Sequence, residues 1–110
     1  MSGDRLPTYL WLDAMVREVT ARGVGIYITQ RGERMGGMVL VKIADTRGQC
    51  RLILQQRDLD GILQWVPALK DDITDEKSAD DYIARAIGRD PDLWVVEVED
   101  REMKNPLSLA

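Results

Sequence analysis

The fold of this chain is clearest in one stretch: Asp90-Pro91-Asp92-Leu93-Trp94-Val95-Val96-Glu97-Val98-Glu99-Asp100-Arg101. The first three residues have the composition of a turn. After this turn, side chains point alternately to the two faces of a strand, with a period of two residues. One face of this strand is apolar: Trp94, Val96 and Val98. The other face is mostly charged: Val95, Glu97 and Glu99. We therefore expect half of the strand to be buried and half to contact water.

Working outward, the spacing of apolar residues predicts two helices, over 8–22 and 75–87. Gly23 and Gly88 are the expected helix stops, and Thr74 is the expected N-cap of the second helix. Apolar patterns predict further strands over 24–29, 38–43, 50–55 and 63–66. Residues 38–43 are apolar on both faces over most of their length, as in a central strand.

A hairpin turn at 45–49 pairs the predicted strands 38–43 and 50–55 in antiparallel fashion. The chain is thus predicted to be α+β, in the order α-β-β-β-β-α-β. Two helices pack against an antiparallel or mixed sheet of four or five strands.

Composition is that of an ordinary globular protein. The 110 residues are 45% hydrophobic and 31% charged, which predicts one domain over 1–110, with 103–110 as a C-terminal tail. Cys50 is the single cysteine and no secretion signal opens the sequence, so we expect a cytoplasmic protein. The longest apolar run, 38–41, is too short for a membrane helix, so no membrane association is expected.

Charge is distributed unevenly along the chain. Residues 1–70 carry ten Lys or Arg against seven Asp or Glu, whereas residues 71–102 carry four against twelve. Two solvated surfaces of different sign would explain this. Alternatively, the acidic part steers a basic partner or a second copy of the chain.

Reactive groups are scarce. The chain has no His, which removes the commonest general acid or base and most nitrogen-ligand metal sites. Cys50 would be a nucleophile only if its thiol pKa were lowered. Glu97 and Glu99 could hold a divalent cation with a third ligand, but a solvated sheet face balanced by Arg or Lys from an adjoining strand is the favoured explanation. We predict no catalytic residue, no metal site and no cofactor, and the sequence leans away from an enzyme.

Lys42 is unusual because it lies inside the most apolar predicted strand. Such a lysine either reaches the strand end or meets a carboxylate. A structural ion pair is favoured over a functional lysine. The predicted charged cluster contains seven residues: Lys42, Glu97, Glu99, Asp100, Arg101, Arg17 and Arg85.

Basic residues are frequent between 22 and 57, and Arg31, Arg34 and Arg47 are candidates for a phosphate-binding patch. Aromatic residues are not interleaved with them, and the sequence pI is about 4.8. Both observations argue against nucleic acid as a partner.

Three segments together resemble a small bacterial family known only as a domain of unknown function: Arg5-Leu6-Pro7-Thr8-Tyr9-Leu10-Trp11, Val39-Leu40-Val41-Lys42 and the stretch 90–101. The resemblance extends over nearly the whole chain. It implies one compact cytoplasmic domain, and no activity, cofactor or catalytic residue can be carried over from it.

The sequence as a whole favours a non-enzymatic protein-interaction or adaptor module, which binds an unknown protein or forms a homodimer. One alternative is a small-molecule or phosphate-binding protein that uses Lys42 and nearby carboxylates. Another is weak nucleic-acid binding through the arginines of 22–57.

Overall fold

The computed structural model describes residues 6–107. Its elements, in chain order, are α1 (Thr8–Ala21), β1 (Gly25–Gln30), β2 (Val39–Ala44), β3 (Gln49–Arg57), β4 (Leu63–Pro67), β5 (Thr74–Asp75), α2 (Glu76–Arg89) and β6 (Trp94–Glu99). The predicted α+β class and element order are confirmed, with the two-residue β5 added. Arg5 of the N-terminal motif and residues 108–110 of the predicted tail lie outside the described residues.

The strands form one mixed sheet in the order β1-β6-β2-β3-β4, and β5 pairs with the first residues of β3. The β1–β6, β2–β3 and β3–β4 pairs are antiparallel, whereas β2 and β6 run parallel. All six residues of β2 are buried, which agrees with the predicted central position of this strand.

The two helices cover opposite faces of the sheet. On one face, Trp11, Leu12 and Val19 of α1 join the core formed by alternate residues of β1, β2 and β6. On the other, Ala79 of α2 packs with a second set: Leu40, Ala44, Cys50, Leu52, Leu93 and Val95. Neither helix within residues 6–107 is long and apolar enough to cross a membrane.

The strand β6 is covered more completely than predicted. Its apolar face lies against α1 as expected, but Val95 on the other face is also buried. The Glu97 side chain is only 29% exposed, because α2 lies over this face of the sheet. Among the three residues of that face, Glu99 alone is exposed.

The start of α1 is capped by a distant segment rather than by a side chain. Pro7 occupies the N-cap position and offers no side-chain cap. The N–H groups of Thr8 and Tyr9 donate instead to the carbonyl oxygens of Met35 and Arg34, at 3.3 and 3.0 Å. Residues 31–38, the β1–β2 loop, thus satisfy backbone donors that every helix start leaves unpaired.

The same loop packs tightly on the turn before β6. Trp94 Nε1 donates to the carbonyl oxygen of Glu33 at 2.6 Å, and the Glu33 N–H donates to that of Asp92 at 3.0 Å. A Cβ atom at Gly32 or Gly37 would lie 2.1 Å from the Asp92 carbonyl oxygen. Glycine is required at both positions because any side chain would separate the loop from this turn.

Asp75, not Thr74, is the N-cap of α2, so the predicted cap was wrong by one residue. The Asp75 carboxylate accepts hydrogen bonds from the N–H and hydroxyl of Ser78. Thr74 instead pairs with Cys50 in β5. The predicted stop at Gly88 was also early, because the helix continues to Arg89.

Residues 103–107 of the predicted tail pack against the α1 face of the sheet. Met103 contacts the core and Leu107 is 5% exposed. Arg51 donates to the Met103 carbonyl oxygen at 2.8 Å and Arg22 to that of Pro106 at 3.1 Å. This segment therefore contributes to the core.

Candidate functional site

Among residues 6–107, Lys42 is the one charged residue that is buried, and its side chain is 5% exposed. It leaves β2 on the face that α2 covers. The Lys42 Nζ atom donates to Asp80 Oδ1 at 2.8 Å and to Glu76 Oε2 at 2.9 Å. Glu97 Oε1 lies 3.6 Å away. We call these four residues the Lys42 cluster.

Two elements bring the carboxylates of the cluster together. Glu76 and Asp80 are one turn apart at the start of α2, so they share one side of the helix. Glu97 is the direct neighbour of Lys42 in the parallel register of β2 and β6. The Glu76 N–H also donates to the carbonyl oxygen of Gly48, at 3.0 Å, which fixes the helix start over the β2–β3 hairpin.

The surroundings of Lys42 keep its amine charged. Burial alone would lower the pKa of Lys42, but the hydrogen bonds to Asp80 and Glu76 and the charge of Glu97 outweigh burial and raise the pKa above 10.5. A lysine acting as nucleophile or general base needs a lowered pKa. Lys42 therefore joins α2 to the sheet by charge and has no free electron pair for chemistry.

Cys50 lies on the same face and is wholly buried. Burial raises the pKa of the Cys50 thiol to about 11, although the charge of Lys42 acts in the opposite direction. A reactive cysteine requires an accessible thiolate. The buried Cys50 thiol, with its raised pKa, has neither of these properties.

A second candidate site lies at the end of the sheet where β2 and β6 begin and β1 and β3 end. Eight large apolar residues are exposed in the described chain. Six of them belong to elements that meet at this end: Leu6, Leu10, Met35, Met38, Leu59 and Ile62. We call this surface the apolar end.

The β3–β4 hairpin projects from the apolar end. β3 pairs with β2 only as far as Leu54 and continues over 55–57 paired with β4 alone. Within its tip, residues 58–62, the Asp58 carboxylate accepts hydrogen bonds from the N–H groups of Asp60 and Ile62 at 2.9 Å. The tip presents Leu59 wholly exposed to water.

A shallow, open acidic depression of about 280 Å³ lies at the same end. Its walls come from the β1–β2 loop and the turn before β6: Glu33, Gly36, Gly37, Met38, Asp90 and Asp92. The Glu33 carboxylate accepts hydrogen bonds from the N–H groups of Met35 and Gly36. Within residues 6–107, no group of three or more His, Cys, Asp or Glu is arranged to hold a metal ion.

Residues 6–108 match a family model described as a protein of unknown function, DUF1491. The chain belongs to the DUF1491 family. This confirms the resemblance to a bacterial domain of unknown function. A comparison with the curated proteins finds no match.

Solved structures agree with this membership. The crystal structure of a DUF1491 family protein from Caulobacter crescentus CB15 is 34% identical, with a TM-score of 0.84 over 94% of this chain and 96% of that chain. An NMR structure of a DUF1491 family protein from the same organism is 36% identical, with a TM-score of 0.81 over 94% and 93%. Protein Atu0922 from A. tumefaciens, at 22% identity and a TM-score of 0.75 over 96% and 95%, shows the same fold.

Of the predicted charged cluster, this DUF1491 fold brings together only Lys42 and Glu97. Glu99 accepts a hydrogen bond from the Tyr27 hydroxyl at 3.3 Å, and Asp100 accepts one from the Lys104 N–H at 2.6 Å. The three predicted arginines are exposed and form no ion pair within residues 6–107: Arg17, Arg85 and Arg101.

The sequence reasoning missed Glu76 and Asp80 as the nearest partners of Lys42. Their spacing carried a signal, because Glu76, Asp80, Ile83 and Ile87 follow one another at intervals of four, three and four residues. The two carboxylates thus continue the apolar stripe of α2. A charged residue at a stripe position indicates an oppositely charged group on the surface below.

The predicted basic patch is divided between the two ends of the sheet. Arg31 lies 5.7 Å from the centre of the Trp94 ring, and Arg34 lies 4.2 Å from that of Tyr9. Both follow β1, at the apolar end. Arg47 lies in the β2–β3 hairpin at the opposite end, because β1 and β2 are both neighbours of β6 but run in opposite directions.

Proposed function

We propose that this DUF1491 chain is a non-enzymatic protein-interaction module that works in the cytoplasm and binds through the apolar end. The observation that carries the proposal is the gathering of six exposed large apolar residues at one end of the sheet. Exposed apolar residues that occur singly need no explanation, whereas a concentration of them is typical of binding surfaces.

The construction of the hairpin tip supports the proposal. Binding is weakened by the entropy lost when flexible groups become ordered. The Asp58 hydrogen bonds already hold the turn that carries Leu59 and Ile62. A partner would therefore meet a preformed apolar projection.

The buried groups support a non-enzymatic role. Lys42 is held charged by three carboxylates, and the Cys50 thiol is buried with a raised pKa. The negative charge around Lys42 would also repel phosphate, which disfavours the small-molecule alternative. The separation of Arg47 from Arg31 and Arg34 disfavours the nucleic-acid alternative. The single cysteine suits a reducing compartment.

The test compares three tagged proteins used to recover partners from native lysate treated with nuclease. Wild type is compared with Leu59→Asp, at the hairpin tip, and with Ile73→Asp. Ile73 is a matched control because it is also exposed but lies beside β5, at the other end of the sheet.

The expected result is a stoichiometric protein that wild type and Ile73→Asp retain and Leu59→Asp loses. Retention that nuclease abolishes would favour nucleic acid instead. Retention that Leu59→Asp leaves unchanged, or the recovery of no protein, would overturn binding through the apolar end.

A further inference from the structure

We propose that the partner at the apolar end is an extended polypeptide segment, which pairs with the outer edge of β4 and lengthens the sheet by one strand. This inference rests on the proposed function and names the kind of partner, because β4 begins at the apolar end, directly after the hairpin tip. The added strand would lie along 63–67 and meet the exposed Leu59 and Ile62 of the tip at one end.

The two outer strands of the sheet, β1 and β4, differ in regularity. The ladder of β1 with β6 is interrupted by a bulge between Ile28 and Gln30, where the Thr29 hydroxyl donates to the Val95 carbonyl oxygen at 3.3 Å. Bulges of this kind protect an edge against further pairing. β4 instead pairs with β3 without interruption over five residues and contains no charged residue. Its edge therefore lacks two of the devices that commonly prevent strand addition.

The hydrogen bonds that flank β4 show which of its backbone groups face β3. The Asp58 N–H donates to the Ile62 carbonyl oxygen, and the Ala68 N–H donates to that of Leu52, both at 2.9 Å. These pairs continue the β3–β4 register immediately before and after β4. Hydrogen-bonded positions alternate along an antiparallel pair. The N–H and C=O groups of residues 64 and 66 therefore point to β3, and the backbone groups of 63, 65 and 67 point away from it.

The outward backbone groups of β4 match those of an extended chain. Leu63 and Trp65 each present an N–H and a C=O group, and Pro67 presents a C=O group alone. β3 is the only strand that pairs with β4 within residues 6–107. Donors and acceptors that alternate at the spacing of a strand are satisfied together by a second extended backbone, which is how sheet edges bind peptides.

The side chains of β4 add a preference for apolar residues in the bound segment. Trp65 packs on the core of the face that α1 covers, and both Trp65 and Leu63, two residues before it, are only half-buried. A strand added beside β4 would place every second side chain on this same face. We therefore expect the segment to carry apolar residues at alternate positions.

The first experiment selects ligands from a phage-displayed library of random peptides on the immobilised full chain. A selected peptide is synthesised with a fluorescent label, and its Kd is measured by fluorescence anisotropy. Leu63→Pro removes an outward N–H and keeps the hydrogen bonds to β3, because proline is tolerated where the N–H of an edge strand faces solvent. Pro67 already occupies such a position. Leu63→Ala is the matched control, since it shortens the same side chain and keeps the N–H.

The expected peptides carry apolar residues at alternate positions. Leu63→Pro weakens their binding at least about tenfold relative to Leu63→Ala. Leu59→Asp also weakens it, whereas Ile73→Asp leaves it unchanged because Ile73 follows the end of β4. Circular dichroism verifies that each variant folds. A library that yields no peptide, or peptides that Leu63→Pro binds as tightly as Leu63→Ala, overturns the inference.

Amide hydrogen exchange tests the same edge in the wild-type chain, without any substitution. The amides of Leu63 and Trp65 are expected to exchange rapidly in the free protein and slowly with the peptide bound, whereas those of Gln64 and Val66 are slow in both states. Amides of Leu63 and Trp65 that stay fast in the complex overturn strand addition. Amides that are already slow in the free protein also overturn it, because the edge is then occupied by another part of the chain or, where protection grows with protein concentration, by a second copy.

The two proposals fail in different ways. If Leu59→Asp loses the lysate partner but Leu63→Pro retains it, the partner binds the apolar end without adding a strand, and the interaction module stands. A lysate partner that Leu59→Asp retains overturns both.

Discussion

Lys42 and Glu97 are direct neighbours in the parallel register of β2 and β6, yet Lys42 forms its shorter contacts with another element. Nζ lies 3.6 Å from Glu97 and only 2.8 and 2.9 Å from Asp80 and Glu76 of α2. The lysine therefore attaches the helix to the sheet more than it joins the two strands.

Replacing Lys42 with Ala is expected to lower the free energy of unfolding by about 2–3 kcal/mol, because it leaves a cavity and three unpaired carboxylates. The cost stays below that of an entirely buried pair, since the Glu76 and Asp80 side chains are 50% and 57% exposed. Urea unfolding measures it. Lys42→Met keeps most of the volume and costs less.

Lys104→Ala is the control for this change, because the Lys104 side chain is 78% exposed and pairs with Glu102 alone. It should leave the free energy of unfolding unchanged. If Lys42→Ala behaved like Lys104→Ala, the Lys42 cluster would not stabilise the fold.

Alkaline pH is expected to destabilise the protein in two stages. Burial raises the pKa of Cys50 from 9.0 to about 11 in the folded state. The unfolded chain therefore loses its thiol proton at a lower pH than the folded protein. The free energy of unfolding falls as the pH rises from about 9 to about 11. The raised pKa of Lys42 acts in the same direction: its contribution is complete below about pH 10.5 and is lost as the pH rises through the folded-state pKa.

Urea unfolding at a series of alkaline pH values would separate the two stages. Cys50→Ala should remove the first and keep the second, whereas Lys42→Met should do the reverse. An alkaline profile that neither substitution alters would contradict the assignment.

The Cys50 thiol is expected to react with a disulfide reagent at pH 8 at least about 100-fold more slowly in the folded protein than in urea. Burial both hides the sulfur and lowers the fraction of thiolate. The rate should follow the unfolding transition. Rapid labelling in native buffer would mean that the thiol is accessible.

Adjacent glycines in the β1–β2 loop should respond differently to Ala. Gly37→Ala is expected to cost about 2 kcal/mol or more, because the added Cβ would lie 2.1 Å from the Asp92 carbonyl oxygen. Gly36→Ala should change stability by less than about 0.5 kcal/mol, since no atom lies within 4 Å of its Cβ position. Thermal unfolding compares the two variants, and equal losses would contradict the close packing.

Much of the fold was predictable because local patterns agree with it. The alternation of Trp94, Val96 and Val98 identified the buried face of β6, and the apolar run over 38–43 identified the central strand. Spacing alone could not find β5, whose two residues exist as a strand only through pairing with β3. Nor could it show that α2 would cover the second face of β6 and bury Val95.

The candidate site was predicted less well, because it depends on how distant elements meet. The sequence singled out Lys42, but its nearest partners lie in α2 rather than in β6 or directly after it. Arg31, Arg34 and Arg47 look alike in sequence and are separated by strand direction. The exposure of Leu59 follows from the greater length of β3 relative to β2, which no local pattern records.

The capping of α1 by the β1–β2 loop bears on the order of folding. Because the Thr8 and Tyr9 amides donate to carbonyl oxygens of residues 35 and 34, the start of α1 is stabilised by a segment that lies beyond β1 in the chain. An isolated peptide of this helix would lack these two hydrogen bonds and would nucleate poorly. Hydrogen exchange at these two amides should therefore report the opening of the loop rather than fraying of the helix.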